Sequence, residues 1–95
     1  MDDELIKYKL NRVREYFEKR LFIVKDGLKY GCDFILYTDD PSKVHSKYAV
    51  LVDRGQNLLN IMAVQRVINT VRKVLIFVYF FNEEIIITKI ERFNL

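Results

Sequence analysis

Ile6, Leu10, Val13, Phe17 and Leu21 recur at intervals of 4, 3, 4 and 4 residues, one face of a 3.6-residue period. The spacing predicts an amphipathic helix, with Lys7, Arg12, Arg14, Glu15, Glu18 and Lys19 mainly off the apolar stripe. Asp2, Asp3 and Glu4 stand where the positive end of a helix dipole favours acidic side chains. Beyond this helix the pattern becomes strand-like. Phe22 to Lys25 reads as a short strand closed by Asp26-Gly27. Tyr30 to Tyr37 reads as a second strand, with Gly31 marking a bulge or a close backbone approach, and Asp39-Asp40-Pro41 stopping it. In Lys47 to Val52, Tyr48, Val50 and Val52 share one face while Ala49 and Leu51 share the other, which predicts a central strand buried on both sides. Asn57 or Asn60 is placed to cap a second helix, whose stripe is Ile61, Val64, Ile68 and Val71. Val74 to Phe81 is an unbroken β-branched and aromatic run, hence a buried strand. Asn82-Glu83-Glu84 turns the chain, and Ile85 to Phe93 forms the last strand.

This order predicts an α/β fold of the α+β kind, a mixed β-sheet flanked by two helices. If the strands on either side of the second helix are parallel, their crossover is expected to be right-handed. Ninety-five residues make one domain, 1–95, with no room for a second core. So small a domain, with 14% aromatic residues, is expected to place part of its apolar surface against another subunit. The longest apolar run falls far short of the roughly 20 residues of a spanning helix, so no membrane partner is expected. The acidic start, with no apolar segment behind it, differs from a secretory signal, and a single cysteine, Cys32, forms no internal disulfide. Both suit an intracellular, reducing compartment. The net charge of +3 permits a nucleic-acid partner without requiring one.

Candidate chemistry is sparse. The three glycines are isolated, so no phosphate-cradling loop exists, and one histidine excludes every His-pair metal motif. Ser42 and Ser46 flank His45, but nothing marks either as a nucleophile. Cys32, in an apolar run, reads as a small core residue. Asp39 and Asp40 could hold magnesium, although a turn before Pro41 explains them better; Asp33 lacks the partner carboxylate and lysine of a metal-dependent nuclease core. A more coherent set is Tyr37 at a strand end, His45 before the next strand and Lys73 where the second helix gives way to a strand. At one edge of a sheet, a base, an acid and a fixed cation meet the needs of metal-free RNA cleavage. Taken singly, each has an ordinary explanation: an edge aromatic, a turn histidine, a solvated lysine.

A longer pattern adds to this. Val24-Lys25-Asp26-Gly27-Leu28-Lys29-Tyr30-Gly31-Cys32-Asp33-Phe34 resembles the V-x-x-G-hydrophobic-K-aromatic-G-small-D-F signature of the tRNA-splicing (tRNA-intron) endonuclease catalytic domain. The resemblance continues through Leu36-Tyr37, Asp40-Pro41, His45-Ser46-Lys47-Tyr48, Arg66-Val67 and Thr70-Val71-Arg72-Lys73, in the family's order over roughly residues 10 to 92. It implies a restriction-endonuclease-like fold and a catalytic triad falling on Tyr37 as base, His45 as acid and Lys73 as charge stabiliser. It further implies 2′,3′-cyclic phosphate and 5′-hydroxyl products, with no metal and no cofactor. Members clamp a flipped-out bulge base between arginines. Arg66 is placed like one of these, and Arg92 or Lys89 is a candidate for the second.

The resemblance also implies partners: precursor tRNA, and one or more related endonuclease subunits, identical or paralogous. Related subunits pair through C-terminal strands, here carrying Ile86 and Ile90, and dock an acidic loop, here Glu83 and Glu84, into a partner's basic pocket. Departures are a Tyr37-to-His45 turn shorter than in many archaeal members and the absence of the family's additional N-terminal domain. A minimal or trimmed subunit is therefore expected, nuclear if eukaryotic and cytoplasmic if archaeal. The competing readings are a non-catalytic RNA-binding or structural subunit of the same complex and a metal-dependent nuclease using Asp33, Asp39 or Asp40.

Overall fold

The computed structural model describes residues 1–91. Helix α1 (Asp3–Lys19) begins at Asp2, whose carboxylate accepts the Leu5 N–H at 2.8 Å. Strands β1 (Ile23–Asp26), β2 (Phe34–Tyr37) and β3 (Tyr48–Val52) follow, then helix α2 (Leu58–Thr70), β4 (Val74–Phe81) and β5 (Glu84–Ile90). The five strands form one sheet in chain order; every neighbouring pair is antiparallel except β3 and β4, which run parallel. The expected mixed sheet is present, with α2 as the parallel crossover connection.

Alternation along the strands divides the core in two. Phe34, Leu36, Val50, Val52 and Val78 pack with Val13 and Phe17 of α1 on one face. Ile35, Ala49, Leu51 and Leu75 pack with Ile68 of α2 on the other. Strand β3, central and buried on both faces, is the common wall, as its two apolar sides require.

Several sequence expectations are corrected. Leu21 does not extend the apolar stripe of α1: it lies past the helix end, at φ 69°, and is 86% exposed. Leu21 N–H donates to Glu18 O and Phe22 N–H to Phe17 O, the paired bonds of a Schellman cap. Tyr30 to Asp33 are not strand. Leu28–Tyr30 form a 3-10 turn, ended by Gly31 at φ 75°, and β2 starts only at Phe34. The cause lies in Gly27, whose carbonyl accepts from both Tyr30 N–H and Cys32 N–H and folds the segment back on itself. In α2, Asn57 is the cap, accepting from Asn60 N–H, while Gln65 is buried and Val71, just past the helix end, is 38% exposed. Strand β4 is buried only in part: Leu75 and Val78 are buried, while Tyr79 and Phe81, towards the hairpin, are exposed. The last strand ends at Ile90; Phe93 lies outside the described residues.

Candidate active site

The register of the sheet decides which side chains meet. Leu36 pairs with Tyr48, and Tyr48 pairs with Val74. One residue further, Tyr37, Lys47 and Lys73 stand abreast at the same end of β2, β3 and β4. Two strand spacings separate the first from the last, about 10 Å between backbones. The Val74 N–H donates to Lys47 O at 2.8 Å and fixes that row. Tyr37 is half-buried against the α2-side core, as is Tyr30, whose ring lies beneath the Lys73 ammonium at 5.6 Å. Tyr37 and Lys73 thus share the α2 face as well as the same end of the sheet.

His45 reaches this end by a different route. Asp40 organises the turn after β2: its carboxylate accepts from the Ser42 N–H and hydroxyl, each at 2.9 Å, and its carbonyl accepts from Lys43 N–H. Those bonds hold the exposed Asp40 carboxyl below the usual carboxylate range. The turn explains Asp39-Asp40-Pro41 as the sequence suggested. His45 follows, exposed, two residues before Lys47. Ser46 between them is buried and accepts from the Lys73 ammonium through both its carbonyl, at 3.0 Å, and its hydroxyl.

Lys73 owes its place to the end of α2. Arg72 N–H donates to Asn69 O and Lys73 N–H to Ile68 O, both at 3.0 Å, a second Schellman cap with Arg72 in the left-handed region at φ 60°. The helix stops at Thr70, so Lys73 belongs to the cap rather than to a helical stripe running back to Arg66. Arg66 is exposed on α2 one turn before that end. Gln65 Nε2 donates to Glu91 O at 2.9 Å, tying the end of β5 to α2. Arg92, the other candidate clamp, lies outside the described residues.

The acidic alternatives are engaged elsewhere. Asp33 accepts from Arg54 at 2.6 Å and from Val52 N–H at 2.7 Å, at the opposite end of β3. Among the described residues, no three His, Cys, Asp or Glu side chains gather as metal ligands. Burial, reinforced by neighbouring Asp33, pushes the Cys32 thiol up to about 11, consistent with a core residue. Glu83 and Glu84 lie exposed at the β4–β5 hairpin; Ile86 pairs with Tyr79, and Ile90 pairs with Leu75 and packs into the α2-side core.

Ser46, Tyr30 and Gln65 were not foreseen as site residues. Ser46 stands two residues before β3, and its partner, the Lys73 ammonium, comes to it from the end of α2. The roles of Tyr30 and Gln65 depend on contacts with distant elements and leave no local trace.

A five-stranded mixed sheet with a helix packed on each face defines a small α+β domain, with Tyr37, Lys47 and Lys73 at one end of the sheet. Residues 7–88 match the family model described as tRNA intron endonuclease, catalytic C-terminal domain. The match covers most of the chain, and the chain belongs to this family. Among curated relatives, the tRNA-splicing endonuclease of Sulfolobus acidocaldarius is 37% identical over 70 residues, 70% of this chain and 39% of the relative. That of Methanopyrus kandleri is 38% identical over 58 residues, 58% of this chain and 32% of the relative. The tRNA-splicing endonuclease subunit Sen2-1 of Arabidopsis thaliana is 46% identical over 43 residues, 45% of this chain and 18% of the relative. The chain therefore matches less than half the length of each. No helix among the described residues is long and apolar enough to cross a membrane.

Proposed function

We propose that this domain cleaves precursor tRNA at exon–intron junctions without a metal ion. Tyr37 takes the proton of a ribose 2′-hydroxyl, and that oxygen attacks the adjacent phosphorus. The bond from phosphorus to the 5′-oxygen breaks, and His45 supplies the proton that the departing oxygen needs. Lys73 stabilises the charge that accumulates on the phosphoryl oxygens. The products are a 2′,3′-cyclic phosphate and a 5′-hydroxyl. The register that sets Tyr37 in one row with Lys47 and Lys73, with Ser46, the residue after His45, bonded to the Lys73 ammonium, supports this reading. Lys47 adds a further cation at the entrance, where a polyanionic substrate gains from it.

Arg66 serves as one base-stacking clamp, with Arg92 as the candidate second. The domain works within an assembly of related subunits. Supporting this, β5 lies at the sheet's edge, Tyr79 and Phe81 leave apolar surface uncovered, and the Arabidopsis relative is named a subunit. Ile86 on the sheet, with Glu83 and Glu84 at the hairpin, provides the contact surface, and Ile90 the strand end beside it.

The test is cleavage of a bulge-containing precursor tRNA in excess EDTA, with Tyr37→Phe, His45→Ala and Lys73→Ala alongside. The expected result is cutting in EDTA and, for His45→Ala, a loss of about 10²–10⁴ in the single-turnover rate with RNA binding kept. Rescue only by magnesium favours the carboxylates instead, and binding without cutting makes the domain a scaffold. An unchanged rate in His45→Ala removes the imidazole from the mechanism.

A further inference from the structure

A lysine that must stabilise charge on a scissile phosphate needs an oriented ammonium, whereas a lysine on an open surface samples many rotamers. Lys73 is held at three points. Its backbone is fixed at the end of the α2 cap by the bond to Ile68 O. Its ammonium lies over the Tyr30 ring at 5.6 Å. Two of its three N–H groups point at Ser46, one at the carbonyl and one at the hydroxyl. Ser46 is 8% exposed, so its hydroxyl competes with little water for that bond. Ser46 is also the residue directly after His45, in the short segment that leads into β3.

We propose that Ser46 is a positioning residue for cleavage, fixing the Lys73 ammonium at a set distance from His45 so that its remaining N–H faces the phosphate. The role rests on the assignment of Lys73 to the cleavage site. Each partner has a separate duty: the Ser46 hydroxyl sets direction, its carbonyl tethers the ammonium to the backbone one residue after the histidine, and the Tyr30 ring closes the side away from the substrate. A charge displaced by about 1 Å can lose two orders of magnitude in rate, which is the scale at stake here.

The experiment measures single-turnover cleavage of a bulge-containing precursor tRNA by the full chain in the assembly it forms, with Ser46→Ala and Ser46→Cys each made in the parent and in a Lys73→Ala background. Cysteine fills the space of serine and accepts only weakly, so it reports on the hydrogen bond if alanine disturbs folding. The expected result is a cleavage rate lowered about 10- to 100-fold by either substitution, with RNA affinity unchanged, and no further loss when either is added to Lys73→Ala. Three results overturn the proposal. If Lys73→Ala is slow while both Ser46 variants cut at the parent rate, positioning by Ser46 fails and the cleavage site stands. If the Ser46 and Lys73 losses multiply, Ser46 acts on the fold and not through the ammonium. If Lys73→Ala cuts as the parent does, the cleavage site itself is wrong, and the role of Ser46 falls with it.

Discussion

Arg72→Gly separates the stability of the fold from the geometry of the site. Arg72 occupies the left-handed region at φ 60° as the residue that closes α2, where a side chain is disfavoured by about 1–2 kcal/mol. Glycine removes that strain and gives back about 0.4–1 kcal/mol through the freedom it adds to the unfolded chain. The net expectation is a gain of about 0.5–1 kcal/mol, which for a domain of this size raises Tm by a few degrees. Lys73 follows directly, and its backbone N–H is bonded within the same cap. A more permissive residue beside it should loosen the ammonium, so the stabler variant should cut more slowly. Leu21→Gly supplies the control. Leu21 closes α1 in the same way at φ 69°, its side chain is 86% exposed, and it adjoins no proposed site residue in the chain. It should gain similar stability with no change in cleavage. Thermal melts and single-turnover rates of both variants decide the matter. A lowered Tm in Arg72→Gly would show that the side chain contributes more than its backbone strain removes. Equal slowing in both variants would show that the helix caps do not separate fold from site.

Three further outcomes follow from particular contacts. Asn82 and Glu83 form the β4–β5 hairpin turn at φ 47° and 64°, a pairing that suits Asn-Gly, so Glu83→Gly should stabilise the isolated chain by about 1 kcal/mol in urea titration while weakening subunit assembly in ultracentrifugation if Glu83 docks into a partner. A Cβ on Gly27 would stand 2.5 Å from Cys32 Sγ and 3.0 Å from both Cys32 O and Phe34 N, so Gly27→Ala should lower stability by about 1–3 kcal/mol; a Tm within one degree or so of the parent would refute the steric argument. The Cys32 thiol, pushed up to about 11 from 9.0, is ionised at pH 8 about a hundredfold less than an ordinary thiol. Its alkylation in the native protein should be slower by at least that factor, recovering in denaturant; prompt labelling of the folded chain would contradict its burial.

Much of the scaffold was legible because it follows periodicity. The apolar faces of β3 announced a central strand, and the Val74 to Phe81 run announced β4 at its observed bounds. Two kinds of feature were not legible. The first is where a chain stops repeating: Leu21 continues the helical spacing in letters, yet the Schellman cap turns it out to solvent, and Tyr30 has strand chemistry but is claimed by bonds to Gly27. Those outcomes depend on which carbonyl a backbone N–H finds, which side-chain identity constrains weakly. The second is polar burial. Gln65 and Ser46 are buried, and each meets a specific partner, Glu91 O and the Lys73 ammonium, from a position 26 or 27 residues away.

The proposed site shows how such non-local features acquire meaning. Tyr37 ends β2, His45 lies in the loop that follows it, and Lys73 lies between α2 and β4, and no spacing in the sequence brings Lys73 to the other two. The antiparallel pairing of β2 with β3 and the parallel pairing of β3 with β4 do so, because both bring a strand terminus to the same end of the sheet. A parallel neighbour requires a crossover, and here the crossover is α2, whose closing cap delivers Lys73 at the first position before β4. The one parallel pair in the sheet is thus what brings a helix-end cation to the same end of the sheet as the phenol that closes β2. A shift of β4 by one residue against β3 would move Lys73 out of the row and reverse the faces of Leu75 and Val78, both buried. The apolar core that fixes the register therefore also fixes the geometry of the cations, and substitutions that loosen β4 packing, such as Val78→Ala, should impair cleavage as well as stability.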